Sequence, residues 1–170
     1  MKRWFTRGWV TLVIAVMGVG GWAWLQVRQS LPQLDGQLHM ATLSAPVQVQ
    51  RDRADVTHIQ ATTALDVWRA LGFVHAQERG WQMEFNRRLM HGELSEILGP
   101  ATLDIDKMMR TLGIMAVAKQ QLEGLSPSSR QALQAYSEGV QAAYAAGAAG
   151  RSPEFQILRL KPAANPWLPE

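Results

Sequence analysis

Twenty consecutive residues near the start of the chain carry no charge: GWVTLVIAVMGVGGWAWLQV, Gly8 to Val27. No other feature limits the fold as much. As a helix rising about 1.5 Å per residue, such a run extends roughly 30 Å, the thickness of a bilayer core. A buried core helix is usually shorter and keeps a polar face. Trp4, Trp9, Trp22 and Trp24 sit towards the ends of the run, where indole rings favour the membrane interface. Lys2, Arg3 and Arg7 precede it and Arg28 follows it, which places the N-terminus inside and the body outside. Two readings stay open. One is an uncleaved signal-anchor. The other is a cleaved signal peptide with a core over Val10–Val19 and a small-x-small site at Gly21-Trp22-Ala23. The apolar run continues past that site through Trp24 and Leu25, which favours the anchor. Either reading exports the body: anchored in the inner membrane facing the periplasm, or periplasmic or secreted after cleavage.

The same segment explains the charge. The chain has 170 residues, a net charge of +3 and a pI near 9.7, values that by themselves suggest a nucleic-acid partner. Residues 1–29 hold four cations and no acid, so the body is left with thirteen basic and fourteen acidic groups. A nucleic-acid surface needs a basic patch in the folded part, and the body has no basic run. With no cysteine, the chain has no disulfide framework and no thiolate metal site.

Beyond the N-terminal segment, residues 30–45 read as a linker into an extended stretch. PVQVQRD and VTHIQA alternate apolar and polar residues as half-buried strands do, and Asp52-Arg53-Ala54-Asp55 between them suits a hairpin turn. Thr63 with Asp66 three residues on opens a helix over about Ala64–His91, and Gly92 is its natural stop. GELSEILGP reads as one short helix. Asp104 to Glu123 reads as one continuous helix with acids at its positive end. Ser126-Pro127 is an N-cap followed by proline at the first helical position, starting a helix that runs through Leu133, Tyr136, Val140 and Tyr144. The proline-rich end, SPEFQILRLKPAANPWLPE, reads as mostly irregular. The body is then a hairpin plus three amphipathic helices.

Within the long helix, Val67, Leu71, Val74, Glu78, Trp81, Phe85 and Leu89 form one row at steps of three and four. The row predicts an inward face with a carboxylate in its middle. Glu78 should then be more buried than Glu84, Glu93 or Glu96. An unpaired buried carboxylate costs several kcal/mol, so it needs a donor: Arg79, Arg88 or a backbone group. A kinked or rotated helix that leaves Glu78 in solvent is the competing reading.

Local chemistry offers no active site. His39, His58, His75 and His91 form no i, i+4 metal pair, and neither a Gly-rich phosphate loop nor a G-x-S-x-G elbow occurs. Glu78 and Glu84 are six apart on different sides of the helix. No catalytic, cofactor-binding or metal-ligating residue is assigned.

The serial order of VQVQRDRADVTHIQA, DVWRALGFVHAQERGWQMEFNRRLMHGELSEILG, AYSEGVQAA and PEFQILRLKPAANPW resembles the start of the α subunit of the penicillin acylase family, which are Ntn hydrolases acting on penicillins or acyl-homoserine lactones. The resemblance runs from about Pro46 to Trp167. It implies a fold that is mostly α with a short β-hairpin, a fragment of an αββα Ntn-hydrolase fold preceded by an N-terminal transmembrane or signal helix. The segments are then 1–29, the linker 30–45, and 46–170 as an incomplete α subunit. It implies a hydrolase of linear amide bonds whose nucleophile is the N-terminal serine of a downstream β subunit, made by self-cleavage of a precursor. It implies a small N-acyl substrate, and a calcium ion whose ligands lie outside this stretch. The stretch alone should be inactive. An acyl-homoserine lactone acylase is the alternative within the family, and a non-catalytic, membrane-tethered helical interaction module is the alternative outside it. Arg51, Asp52, His58, Glu78, Arg79, Arg87, Arg88 and Gly92 carry the motif as structural residues. Two positions depart from the family pattern. Asp55-Val56-Thr57-His58-Ile59 replaces Gly-Val-Pro-His-Ile, which requires Asp55 to take the positive φ of the glycine. Glu78 replaces the usual Asp.

Overall fold

The computed structural model describes residues 2–150, 152–160 and 167–169, with the backbone alone for 2–11 and 29. Helix α1 (Lys2–Ser30) is uninterrupted. Its apolar side chains from Leu12 to Val27 stand 48–71 % exposed. It touches the short helix α7 (Pro153–Ile157). Among the described residues no helix is long and apolar enough to cross a membrane; the expected span begins at Gly8, and the side chains of residues 8–11 lie outside the description.

Strands β1 (Gln48–Arg51) and β2 (Thr57–Gln60) pair antiparallel, with Gln48 opposite Gln60 and Arg51 opposite Thr57. Asp52 builds the turn: its Oδ1 accepts from the Ala54 and Val56 amides at 2.9 and 3.0 Å. Asp55 takes φ 61°, the conformation expected of it. The half-burial expected of the strands is weak, since Val49 is exposed and its cross-strand partner Ile59 only half-buried.

Helix α2 (Ala64–His91) has the expected limits. Thr63 caps it by accepting from the Asp66 amide at 3.1 Å, and Gly92 ends it at φ 66°. Helix α3 (Ser95–Leu98) follows and closes at Gly99-Pro100. The long helix expected over Asp104–Glu123 is broken. Gly113 at φ 67° divides it into α4 (Leu103–Leu112) and α5 (Ile114–Gly124), because a glycine in the left-handed region terminates one helix and lets the next set off in a new direction. Helix α6 (Pro127–Ala145) starts as expected, with Ser126 Oγ accepting from the Ser129 amide at 3.1 Å. The tail expected to be irregular contains α7, where Pro153 starts a turn that buries Phe155. Residues 161–166 lie outside the described set.

The spine of the body is the pairing of α2 with α6. A Cβ at Gly72 would overlap the Tyr136 carbonyl oxygen, and one at Gly139 would overlap the Arg69 carbonyl oxygen. Each helix thus uses a glycine to bring its backbone against the other. Around this seam lies the core: Phe73, Ala76, Val140, Ala143, Tyr144 and Phe155, with Ala148 and Ala149.

The seam corrects the expected face of α2. The buried residues are Asp66, Ala70, Gly72, Phe73, Val74, Ala76, Gly80 and Glu84. Apart from Val74, the predicted row Val67–Leu71–Val74–Glu78–Trp81–Phe85–Leu89 is only half-buried and flanks the seam. Small residues win the centre because a close helix crossing leaves no room for large ones. The helix also bends: Arg79 has non-helical φ −129°, ψ 26°. There the Gly80 carbonyl accepts the Tyr144 hydroxyl at 3.1 Å, an insertion of the kind that bends helices.

Candidate functional site

Three polar knots lie along α2, and the motif residues divide among them. At its start, fully buried Asp66 accepts from the Ser44 amide at 3.1 Å, the Ser44 hydroxyl, Thr63 Oγ1 at 2.9 Å and Arg69 Nη1 at 3.1 Å. The Ser44 bonds, above all, hold its pKa down at about 2 against burial. Arg69 Nε also donates to Glu138 on α6 at 2.8 Å. This knot ties the linker, α2 and α6 together. It escaped the sequence reading; its one visible sign was the Thr63/Asp66 cap.

At the middle, Arg51 of β1 bonds Glu78 and, at 3.0 Å, Asp55. Glu78 therefore has an arginine partner, but from the hairpin rather than from Arg79 or Arg88, and its side chain is still 21 % exposed. Arg79 points outward at the bend. Beside this knot, Asp52 Oδ2 lies 3.0 Å from His58 Nε2. The His58 bond is the largest influence lowering the Asp52 pKa.

The third knot reverses the expectation for the two carboxylates. Glu84 is 6 % exposed and is the buried acid of the helix end. Arg87 grips both its oxygens at 2.8 and 2.9 Å, and Arg88 Nε adds a bond at 2.7 Å. Burial alone would raise the Glu84 pKa, but the two guanidiniums together hold it below its ordinary value. Arg88 reaches on to Glu96 at 2.9 Å, and Arg87 to Glu93 at 3.8 Å. Gly92 turns the chain back over this end, and Arg110 Nε donates to its carbonyl at 3.0 Å. Buried Asp106 accepts from the Leu94 and Ser95 amides at 2.9 and 2.8 Å, fixing the start of α3.

Next to the third knot opens a largely apolar cavity of about 600 Å³, walled by Met83, Met90, Ile114, Tyr136 and Trp167 with Arg87 on one side. Tyr136 Oη lies 3.0 Å from His75 Nδ1, and burial, with the Arg79 charge, lowers the His75 pKa. Among the described residues no serine or threonine hydroxyl is paired with a histidine, and no three His, Asp or Glu side chains converge as a metal ion requires. The knots hold backbone segments in place. None of them presents an activated nucleophile.

The family model for penicillin amidase matches residues 46–170. Over 143 residues the chain is 41 % identical to the penicillin acylase 2 proenzyme of Pseudomonas sp. (strain SE83), covering 84 % of this chain and 18 % of that protein. It is 35 % identical over 130 residues to the acyl-homoserine lactone acylase QuiP of Pseudomonas aeruginosa, covering 75 % of this chain and 15 % of that protein. A thermostable penicillin G acylase from Alcaligenes faecalis, solved in a tetragonal form, superposes with a TM-score of 0.63 at 25 % identity, over 73 % of this chain and 66 % of that one. The chain spans less than a fifth of the length of the two sequence relatives.

Proposed function

Because the chain belongs to the penicillin amidase family, we propose that it is the N-terminal part of the α subunit of an amide hydrolase whose nucleophile lies on a downstream β subunit. The carrying observation is the 41 % identity to a proenzyme of which this stretch covers only 18 %. A second contrast supports a two-chain mature enzyme: the stretch fills 66 % of the solved Alcaligenes faecalis chain but only 18 % of the Pseudomonas proenzyme.

In the proposed reaction the N-terminal serine Oγ adds to the amide carbonyl carbon while its own α-amine takes the hydroxyl proton. The C–N bond breaks and the amine leaves with that proton. Water then cleaves the acyl ester, freeing the acid and regenerating the serine. The residues of this chain act as scaffold: the knots at Asp66, Glu78 and Glu84 fix the hairpin and helix ends against which the partner chain packs. The proposed substrate is an N-acyl β-lactam. The identity to an acyl-homoserine lactone acylase supports a second reading, N-acyl-homoserine lactones. Calcium is proposed for the whole enzyme, with ligands outside these residues. The charge-free run supports export and inner-membrane anchorage through residues 8–27, or a periplasmic or secreted product if the run is cleaved.

Extending the reading frame past Glu170 and expressing it tests the proposal. The expected product is two chains, the second starting with serine, that together release acid from penicillin G or an N-acyl-homoserine lactone. Residues 30–170 alone should release none. A frame without a serine junction, or an uncut product with full activity, would overturn it, and the former outcome would favour a membrane-tethered helical interaction module.

A further inference from the structure

Apolar side chains are left exposed at one pole of the molecule, on three different segments. The C-terminal end of α1 exposes Leu25 and Val27, the linker exposes Leu31, Leu34 and Leu38, and α7 exposes Ile157, at 78 % the most open of them. Hydrogen bonds and ring packing bring these segments to one place. The Gln33 carbonyl accepts from Gln77 Nε2 at 3.1 Å. Phe155 of α7 packs edge-on against Trp81, with ring centres 5.5 Å apart. Gln77 and Trp81 are one turn apart on α2, and α1 itself packs on α7. At the same end of α1 the Arg28 guanidinium lies 5.1 Å over the Trp24 ring, a pairing that suits a boundary with an apolar body on one side and water on the other.

We propose that this collar, α7 with the linker at the foot of α1, rests in the headgroup–acyl boundary of the bilayer and holds the body against the membrane. The inference rests on the reading of α1 as a membrane anchor and adds to it an orientation: the body lies on the surface instead of swinging free on its linker. The occupant is lipid because the exposed row is continuous with the charge-free helix. In the sequence of these segments and their flanks, Arg28, Arg151, Arg159 and Lys161 outnumber Asp35 and Glu154, so anionic lipid adds to the attraction without being required for it. The contact is driven by the exposed apolar row, and it should persist without anionic lipid and at high salt.

The chain has no cysteine, so single cysteines report single positions. The test places a fluorophore on Leu25→Cys, Ile157→Cys or Gln120→Cys of the full chain. Each variant is reconstituted in phosphatidylethanolamine vesicles, with and without phosphatidylglycerol, and quenched by lipids spin-labelled near the headgroup. Quenching at 25 and at 157 should both exceed that at 120 several-fold, in both compositions and at low and high salt. Quenching at 25 with none at 157 above the level at 120 would overturn the collar and leave the anchor standing. No quenching at 25 would overturn the anchor, and the collar with it. Protection of Ile157→Cys from a water-soluble maleimide without lipid quenching would assign the patch to a protein surface, a second copy or a downstream chain, and would also overturn the proposal.

Discussion

Glu84 and Glu78 stand six positions apart on α2; Glu84 is the buried acid that the apolar row predicts Glu78 to be, while Glu78 is only partly buried against Arg51. Periodicity misled here for a physical reason. A row of large apolar residues marks the face with most surface to bury, whereas the tightest crossing selects small residues and tolerates a charge if it is fully paired. Glu84 is paired by two arginines that follow it directly in sequence, Arg87 and Arg88, so the signal was present as an i, i+3 and i, i+4 pattern. Glu78 has its partner 27 positions away on β1, which no local pattern reveals. The two substitutions should separate accordingly. Glu84→Ala takes the buried carboxylate from two guanidiniums that are 15 % and 14 % exposed and leaves them only the more exposed Glu93 and Glu96, and should cost about 3 kcal/mol. Glu78→Ala opens a partly buried pair, 24 % and 21 % exposed, and should cost about 1 kcal/mol. Glu84→Gln, which keeps one accepting oxygen but turns an NH2 donor towards a guanidinium, should fall between them. Chemical denaturation of the three variants measures the order; equal losses at 78 and 84 would contradict it.

At the scale of elements, limits marked by caps were readable. Thr63, Gly92 and Ser126-Pro127 act within one turn of the chain, so α2 and the start of α6 fall where their residues place them. The break at Gly113 and the turn at α7 were not readable. A lone glycine inside a helical pattern is tolerated as often as it ends one, and α7 exists because Phe155 finds Trp81 across the molecule. The linker is likewise held by a distant group, Asp66, and this gives it a pH dependence. The folded pKa of Asp66 is about 2 against an ordinary 3.8. A depressed carboxyl stabilises the fold above its unfolded pKa, and that stabilisation is lost as pH falls through the folded value. The Ser44 bonds should therefore hold undiminished at pH 5 and weaken between about pH 4 and about pH 2. Hydrogen exchange at the Ser44 amide should accelerate in that window beyond the intrinsic acid trend, and Asp66→Asn should remove the extra acceleration.

For the whole molecule, the serial order of segments identified the family before any contact was known, because order and spacing survive where individual contacts do not. What the order could not convey is the closeness of the two central helices, since a glycine that admits a neighbouring backbone looks in sequence like one that merely loosens a helix. Gly72 and Gly139 separate these cases. Both lie inside helices with negative φ, so alanine costs nothing in backbone conformation and would even favour an isolated helix. The overlap with the Tyr136 and Arg69 carbonyls must instead be relieved by moving α2 away from α6. Each substitution should then destabilise the chain by roughly 3 kcal/mol, at the upper end of overpacking costs. The two strain the same seam from opposite sides, so separating the helices for one relieves part of the other. Gly72→Ala with Gly139→Ala should therefore cost clearly less than the two losses added together. Thermal unfolding of both single variants and the double, followed by the helical signal, decides it. Strict additivity would mean the helices yield locally at each glycine, and the seam would not be the single rigid contact that organises the fold.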